Sequence, residues 1–280
     1  QLIEKMYGHH YTPQTISNMT KAVSETVEAF NNRPLHNRYV VVYLDATYIA
    51  VRRDTVSKES VYIAVGIRED GSKEVLGYTI APTESAYNWQ ELLEELKDRG
   101  VEDVLLFVSD GLKGMADAVF NVFPKAKYQV CLVHVARNIM HKVRVEDRKE
   151  VCEDFKMIHQ AKGAEAAKEA LETFCEKWGK SYKKVAQGLR ENPYLLTFYS
   201  FPKAIWRSIY STNLIESFNK QIKKYTKRKE QFPNEESLER FLVTQFEDYN
   251  QRFATRCHIG FNKARAELEE MFEQLHEPAK

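Results

Sequence analysis

A chain of 280 residues, 43% hydrophobic and 29% charged, has enough length and apolar content to bury a core, which excludes an intrinsically disordered protein. No apolar run approaches the roughly eighteen residues a membrane helix needs, and no basic, apolar and small-residue leader opens the chain, so a cytoplasmic protein is expected. The formal net charge of +1 conceals an asymmetry: residues 203–229 hold eight Lys or Arg against one acid, Glu216, a local +7 that leaves −6 for the rest. Such a block is either the footprint of a polyanion-binding face or a solvated helix face. The four cysteines, Cys131, Cys152, Cys175 and Cys257, form no CxxC pair, which predicts reduced thiols and argues against a structural zinc site. A chain beginning at Gln1 is expected to be a processed product or a piece of something longer.

In chain order, Ile16, Met19, Val23, Val27 and Phe30 recur at three- and four-residue spacing and predict an amphipathic helix over 15–31, stopped by Arg33-Pro34. The period then changes. Tyr39 to Ile49, Val61 to Ile67 and Glu74 to Ile80 are β-branched and aromatic, and Asp70-Gly71 between the last two is a strong hairpin signal. Three antiparallel strands are predicted. A helix over 86–99 follows, with Trp89, Leu92, Leu93 and Leu96 on one face and Gly100 as its stop. Val104 to Val108 is continuously apolar, as buried central strands are. Helix over 115–123, a fifth strand over 128–133 and helix from His134 complete a mixed sheet with packed helices. Strand signals vanish from about 138 to 205, where Ala167, Leu171, Phe174 and Trp178 fall at helical spacing, predicting an all-helical insertion. Helices near 211–225, 235–253 and 261–275 finish the chain.

Two carboxylates interrupt apolar strand runs. An ionised Asp in a buried strand is costly unless paired or metal-bound, which singles out Asp45 inside its eleven-residue run. Asp110-Gly111 reads equally as a common turn. Glu216 has two readings as well. Asn213-x-x-Glu216 resembles a capping box, while the helical wheel puts Leu214, Ile215, Phe218, Ile222 and Tyr225 on an apolar face and Glu216 with Lys220, Lys223 and Lys227 opposite. A surface pair with Lys220 is worth only about 0.3 kcal/mol; an acid facing DNA among cations is the sharper alternative. Three carboxylates suit hard cations such as Mg²⁺ or Mn²⁺, and two ions about 4 Å apart can serve both the attacking and the leaving oxygen of a phosphoryl transfer.

The segments Leu44-Asp45-Ala46, Val108-Ser109-Asp110-Gly111, the run from Gln129 through Cys131, His134 and Arg137 to Asn138, and Tyr210 to Ser217 resemble, in order, the signature blocks of Mutator-type insertion-sequence transposases. The similarity runs from about residue 7 to 233. The resemblance implies an α/β, RNase H-like mixed five-stranded sheet with flanking helices, interrupted by an all-helical insertion. It divides the chain into an N-terminal helical segment (1–36), a core in two parts (37–137 and 206–232), the insertion (138–205) and C-terminal helices (233–280).

It further implies Asp45, Asp110 and Glu216 as catalytic, metal-binding acids using two Mg²⁺ or Mn²⁺ ions. Cys131 and His134 are expected to support the site, although their spacing alone reads as a strand-to-helix junction. Arg137, Asn213, Lys220, Lys223, Lys224 and Arg228 are expected at DNA. Trp178 either stacks on a base or packs in the insertion. Expected partners are transposon-end and target DNA, with a homodimer and a nucleoid location. The family's end-recognition region is expected only as its last helix, 15–30. A transposase-derived protein that binds DNA without cutting it, and an RNase H-like nuclease or resolvase, are the rival readings.

Overall fold

A computed structural model describes residues 13–52, 56–227 and 230–276. Helix α1 (Pro13–Asn32) leads into strand β1 (Arg38–Arg52), which pairs antiparallel with β2 (Val56–Ile67); β2 pairs antiparallel with β3 (Lys73–Ala81). The β2–β3 turn is as predicted. Asp70 Oδ1 accepts from the Ser72 amide at 2.8 Å, and Gly71 takes a φ of 79°, which a side chain would resist. Helix α2 (Ala86–Asp98) starts at Ser85, whose side chain accepts from the Asn88 amide, and buries Trp89, Leu92, Leu93 and Leu96.

Strand β4 (Asp103–Ser109) then lies parallel to β1, and after α3 (Met115–Val122) strand β5 (Lys127–Val130) lies parallel to β4. The sheet order is β3-β2-β1-β4-β5. Three antiparallel strands with two parallel ones added beside β1 make the mixed five-stranded sheet that the strand pattern predicted. β1 and β4 are its centre, and Tyr39 to Leu44 and Leu106 to Val108 are fully buried. That is why these runs are continuously apolar rather than alternating.

One element ends early. The fifth strand stops at Val130, and α4 (Leu132–Lys142) begins where strand was expected to continue to residue 133. The Cys131 amide donates to the Ser109 carbonyl at 2.7 Å and the Leu132 amide to the Tyr210 carbonyl at 2.9 Å, so the chain turns out of the sheet there. Leu132 is apolar because it is buried at the start of α4, not because the strand goes on. Apolar runs of this length do not distinguish the two.

Among the described residues no strand follows β5. Helices α5 (Arg148–His159), α6 (Ala164–Gly179) and α7 (Lys183–Arg190) form the helical segment, and two 3₁₀ turns and the short α8 (Trp206–Ile209) return the chain to the sheet. Helix α9 (Asn213–Thr226) packs on β1 and is tied at both ends. Ahead of it, the Tyr43 hydroxyl donates to the Ser208 carbonyl at 2.8 Å. Beyond it, the Phe232 amide donates to the Ala50 carbonyl at 3.0 Å, and the Arg52 amide to the Phe232 carbonyl at 2.8 Å. Helices α10 (Glu235–Phe253) and α11 (Phe261–His276) close the fold, α10 lying on β3 and α1. Among the described residues, no helix is long and apolar enough to cross a membrane.

Candidate active site

The parallel register of β1 and β4 places the first two acids. Tyr43 stands opposite Val108, two residues before Asp45 and Asp110 respectively, which brings the two acids to neighbouring places where β4 ends beside β1. Asp45 is interior to β1, whereas Asp110 follows the last residue of β4. The turn reading of Asp110 holds, since its Oδ1 accepts from the Leu112 amide at 3.2 Å with Gly111 at a φ of 85°, and the turn leaves the carboxylate near enough for its charge to act on Asp45.

Burial pushes the Asp45 carboxyl up to about 6, opposed by a hydrogen bond from Asn219 and reinforced by the negative charges of Asp110 and Glu216. All three acids therefore share one electrostatic cluster. The donor is the Asn219 Nδ2, 2.8 Å from Asp45 Oδ2. Asn219 is buried on the apolar face of α9 with Ile215, Phe218 and Ile222, and its Oδ1 is buried with no hydrogen-bond partner. Asn219 is not among the site residues predicted from sequence. The available signal was a polar side chain in the buried row of an amphipathic helix, one turn after Glu216.

Glu216 is not part of a capping box. Thr212 is the N-cap of α9, no side chain caps it, and Asn213 is an exposed first helical residue. Instead the Glu216 carboxylate, 11% exposed, accepts a two-pronged bond from Arg137 of α4, at 3.1 Å for each prong. His134 Nε2 lies 3.5 Å from the same carboxylate and Lys220 Nζ 3.9 Å. Burial would raise this carboxyl, but the bond from Arg137 and the charges of Arg137, His134 and Lys220 outweigh it and hold it below the usual glutamate range.

Cys131 and His134 stand at the strand-to-helix junction, as their spacing suggested, with Cys131 capping α4. The buried Cys131 Sγ accepts from the Thr212 amide and the Thr212 hydroxyl, both at 3.3 Å. Burial raises this thiol, yet hydrogen bonds from His134 and Thr212 bring it below its ordinary value, and the bond to Cys131 raises His134. Among the described residues, ligand atoms of Cys131, His134 and Glu216 lie within 4.8 Å of one another. Glu216 is thus shared between a carboxylate cluster and a thiol–imidazole pair.

The basic residues divide. Lys220, Lys223 and Lys224 are exposed on α9, as expected of a DNA-facing row. Arg137, expected at phosphate, is committed to Glu216. Arg228 lies outside the described residues. Trp178 does not offer a stacking face: it is 8% exposed, its Nε1 donates to Asp154 at 2.8 Å, and it packs against Tyr182. The helical segment needs its bulk for a core, which is the alternative its helical spacing had left open.

Residues 1–255 match the family described as "Transposase, Mutator family". The chain belongs to this family. It is 50% identical over 272 residues to the transposase for insertion sequence element IS905 of Lactococcus lactis subsp. lactis (strain IL1403), covering 97% of this chain and 70% of that protein. The transposase for IS1201 of Lactobacillus helveticus is 51% identical over 249 residues, or 89% of this chain and 68% of that one. Among solved structures, the catalytic domain of Mos1 mariner transposase aligns over 97% of this chain and 98% of that one. Its identity is 13% and its TM-score 0.32, too weak a likeness to carry any residue across. In this Mutator-family transposase Asp45 lies within β1, Asp110 just past the end of β4 and Glu216 on the first turn of α9.

Proposed function

We propose that this transposase cuts DNA at the ends of an insertion sequence and joins the freed 3′-hydroxyl to target DNA, with Asp45, Asp110 and Glu216 holding divalent cations. The observation that carries this reading is Asp45, two residues past the Tyr43–Val108 pair, raised to about 6 chiefly by burial and further by the charges of Asp110 and Glu216. A half-buried set of oxygen donors in which two charges raise the third carboxyl is what a hard cation would relieve. Arg137 now supplies the positive charge at Glu216, and its half-exposed side chain can release that carboxylate to an ion. Two Mg²⁺ or Mn²⁺ ions, when bound, would polarise the attacking hydroxyl and the leaving oxygen.

The chain's own residues do the rest. Asn219 fixes the orientation of Asp45. His134, itself held through Cys131 and Thr212, steadies Glu216. Lys220, Lys223 and Lys224, with Arg137 once freed and Arg228, neutralise phosphates. The partners in this reading are transposon-end and target DNA, bound by two copies of the chain. The test is incubation of the full-length protein with labelled transposon-end DNA and Mn²⁺, resolving nicked, hairpin and joined products. Cut strands that are never joined would indicate a nuclease or resolvase, and uncut DNA a binding protein only.

Two further outcomes are expected. Asn219→Ala should lower strand transfer by about 10–100-fold, the usual cost of losing a residue that orients a metal ligand. Helix content by circular dichroism should be unchanged; wild-type rates in this variant would remove Asn219 from the site. Replacing Lys220, Lys223 and Lys224 together by Ala should weaken DNA binding whatever its sequence. It should also flatten the slope of log affinity against log salt by about 2.7, roughly 0.9 per phosphate contact. An unchanged slope would mean that α9 does not face the DNA backbone.

A further inference from the structure

The thiol–imidazole pair beside Glu216 has a chemistry that phosphoryl transfer does not use. Cys131 is the N-cap of α4 and His134 lies in its first turn, so both side chains leave the helix on one side. Glu216 comes from the first turn of α9. The two helix starts are locked together by the Leu132 amide on the Tyr210 carbonyl and the Thr212 amide on Cys131 Sγ. One sulfur, one nitrogen and one oxygen donor consequently converge within 4.8 Å on rigid elements. The spacing of Cys131 and His134 supplies only two ligands, and the fold brings up the third from a distant part of the chain.

The geometry points to a soft-cation site in which Cys131 Sγ, His134 and Glu216 take one Zn²⁺, in competition with the hard cations that share Glu216. Sulfur and imidazole donors select zinc over magnesium, and three protein ligands leave a fourth position for water. The side chain now between His134 and Glu216 is Arg137, whose Nη1 lies 3.2 Å from His134 Nε2 and 3.1 Å from Glu216. Zn²⁺ replaces that charge: the guanidinium moves to solvent, the thiol gives up its proton to water, and Glu216 passes from the carboxylate cluster to zinc. A transposase so loaded has two acids left for Mg²⁺. The loss of activity rests on the catalytic reading of Glu216; the binding of Zn²⁺ does not.

The experiment titrates the full-length protein with Co²⁺, as a spectroscopic stand-in for Zn²⁺, in excess Mg²⁺ and without DNA. One equivalent should give a thiolate-to-cobalt charge-transfer band that Zn²⁺ bleaches. Cys131→Ser should abolish the band. His134→Ala and Glu216→Gln should keep a band but weaken binding by on the order of 100-fold, since each removes a direct ligand. No band in the wild type, or a band surviving Cys131→Ser because metal has gone to Cys257 and His258, overturns the site. In the second arm, Zn²⁺ at the concentration that saturates the band should cut Mg²⁺-supported strand transfer by at least about tenfold, a competition worth about 1.4 kcal/mol. The fractional loss in His134→Ala, measured against that variant's own Mg²⁺ rate, should be much smaller. Saturation without inhibition overturns the competition. A protein that gives the band but never joins DNA upholds the site and sinks the catalytic reading instead.

Discussion

Asp45→Asn, Asp110→Asn and Glu216→Gln are each expected to abolish strand cleavage and transfer, by on the order of 10³-fold or more, while leaving the fold intact. The amides keep the shape of the carboxylates and remove the charge that binds a cation, so the loss reports chemistry rather than packing. The three losses should not add. Each acid serves one shared ion cluster, and a double variant should be scarcely worse than a single one. Glu216→Gln differs in one respect, because it also frees Arg137 from its two-pronged bond. Its DNA affinity is expected to hold or rise while its activity vanishes. Gel-based strand-transfer assays with labelled ends, run beside filter binding, measure both quantities. Full activity in any one of the three variants would break the proposed mechanism.

The sheet and Asp45 were legible because burial leaves a plain trace in sequence, whereas Asp110 read equally as a turn. A strand covered on both faces must be apolar throughout, so a carboxylate inside Tyr39 to Ile49 announces itself, and Asp70-Gly71 marks its turn by a conformation few residues adopt. Contacts between distant segments leave no such trace. Arg137 lies 79 residues from Glu216, and nothing local distinguishes an arginine that grips a carboxylate from one that awaits a phosphate. Asn219 is 174 residues from Asp45 and showed only as a polar residue in an apolar row. The end of β5 was misplaced and Trp178 left open for a shared reason: apolar residues report burial without saying what covers them. Glu216, the acid with the blandest local explanation, turned out to hold the most contacts. Its capping role was excluded by where α9 begins, which the sequence placed to within two residues.

Asp45→Asn is also expected to stabilise the metal-free protein, the opposite of its effect on activity. The Asp45 carboxyl is raised from 3.8 to about 6 in the folded chain, chiefly by burial. The folded state therefore binds this proton more tightly than the unfolded state, and stability must fall as pH rises through the window from about 4 to about 6. Above that window the cost is constant, on the order of 3 kcal/mol, because each tenfold gain in proton affinity is worth about 1.4 kcal/mol. The amide removes most of it, since a neutral side chain can keep the bond from Asn219 without a desolvated charge. Above about pH 7 the variant should melt several degrees higher, at roughly 2–4 °C per kcal/mol for a chain of this size. Below about pH 4 the two proteins should converge. A bound divalent cation offsets the same cost, so Mn²⁺ should raise the melting temperature of the wild type and much less that of the variant. A variant no more stable at neutral pH, with wild-type melting indifferent to Mn²⁺, would show that Asp45 is solvated rather than held in a buried cluster. The destabilisation is then intelligible as the cost of readiness: carboxylates whose charges act on one another, held by a rigid sheet and the helix packed on it, bind a cation without first having to assemble.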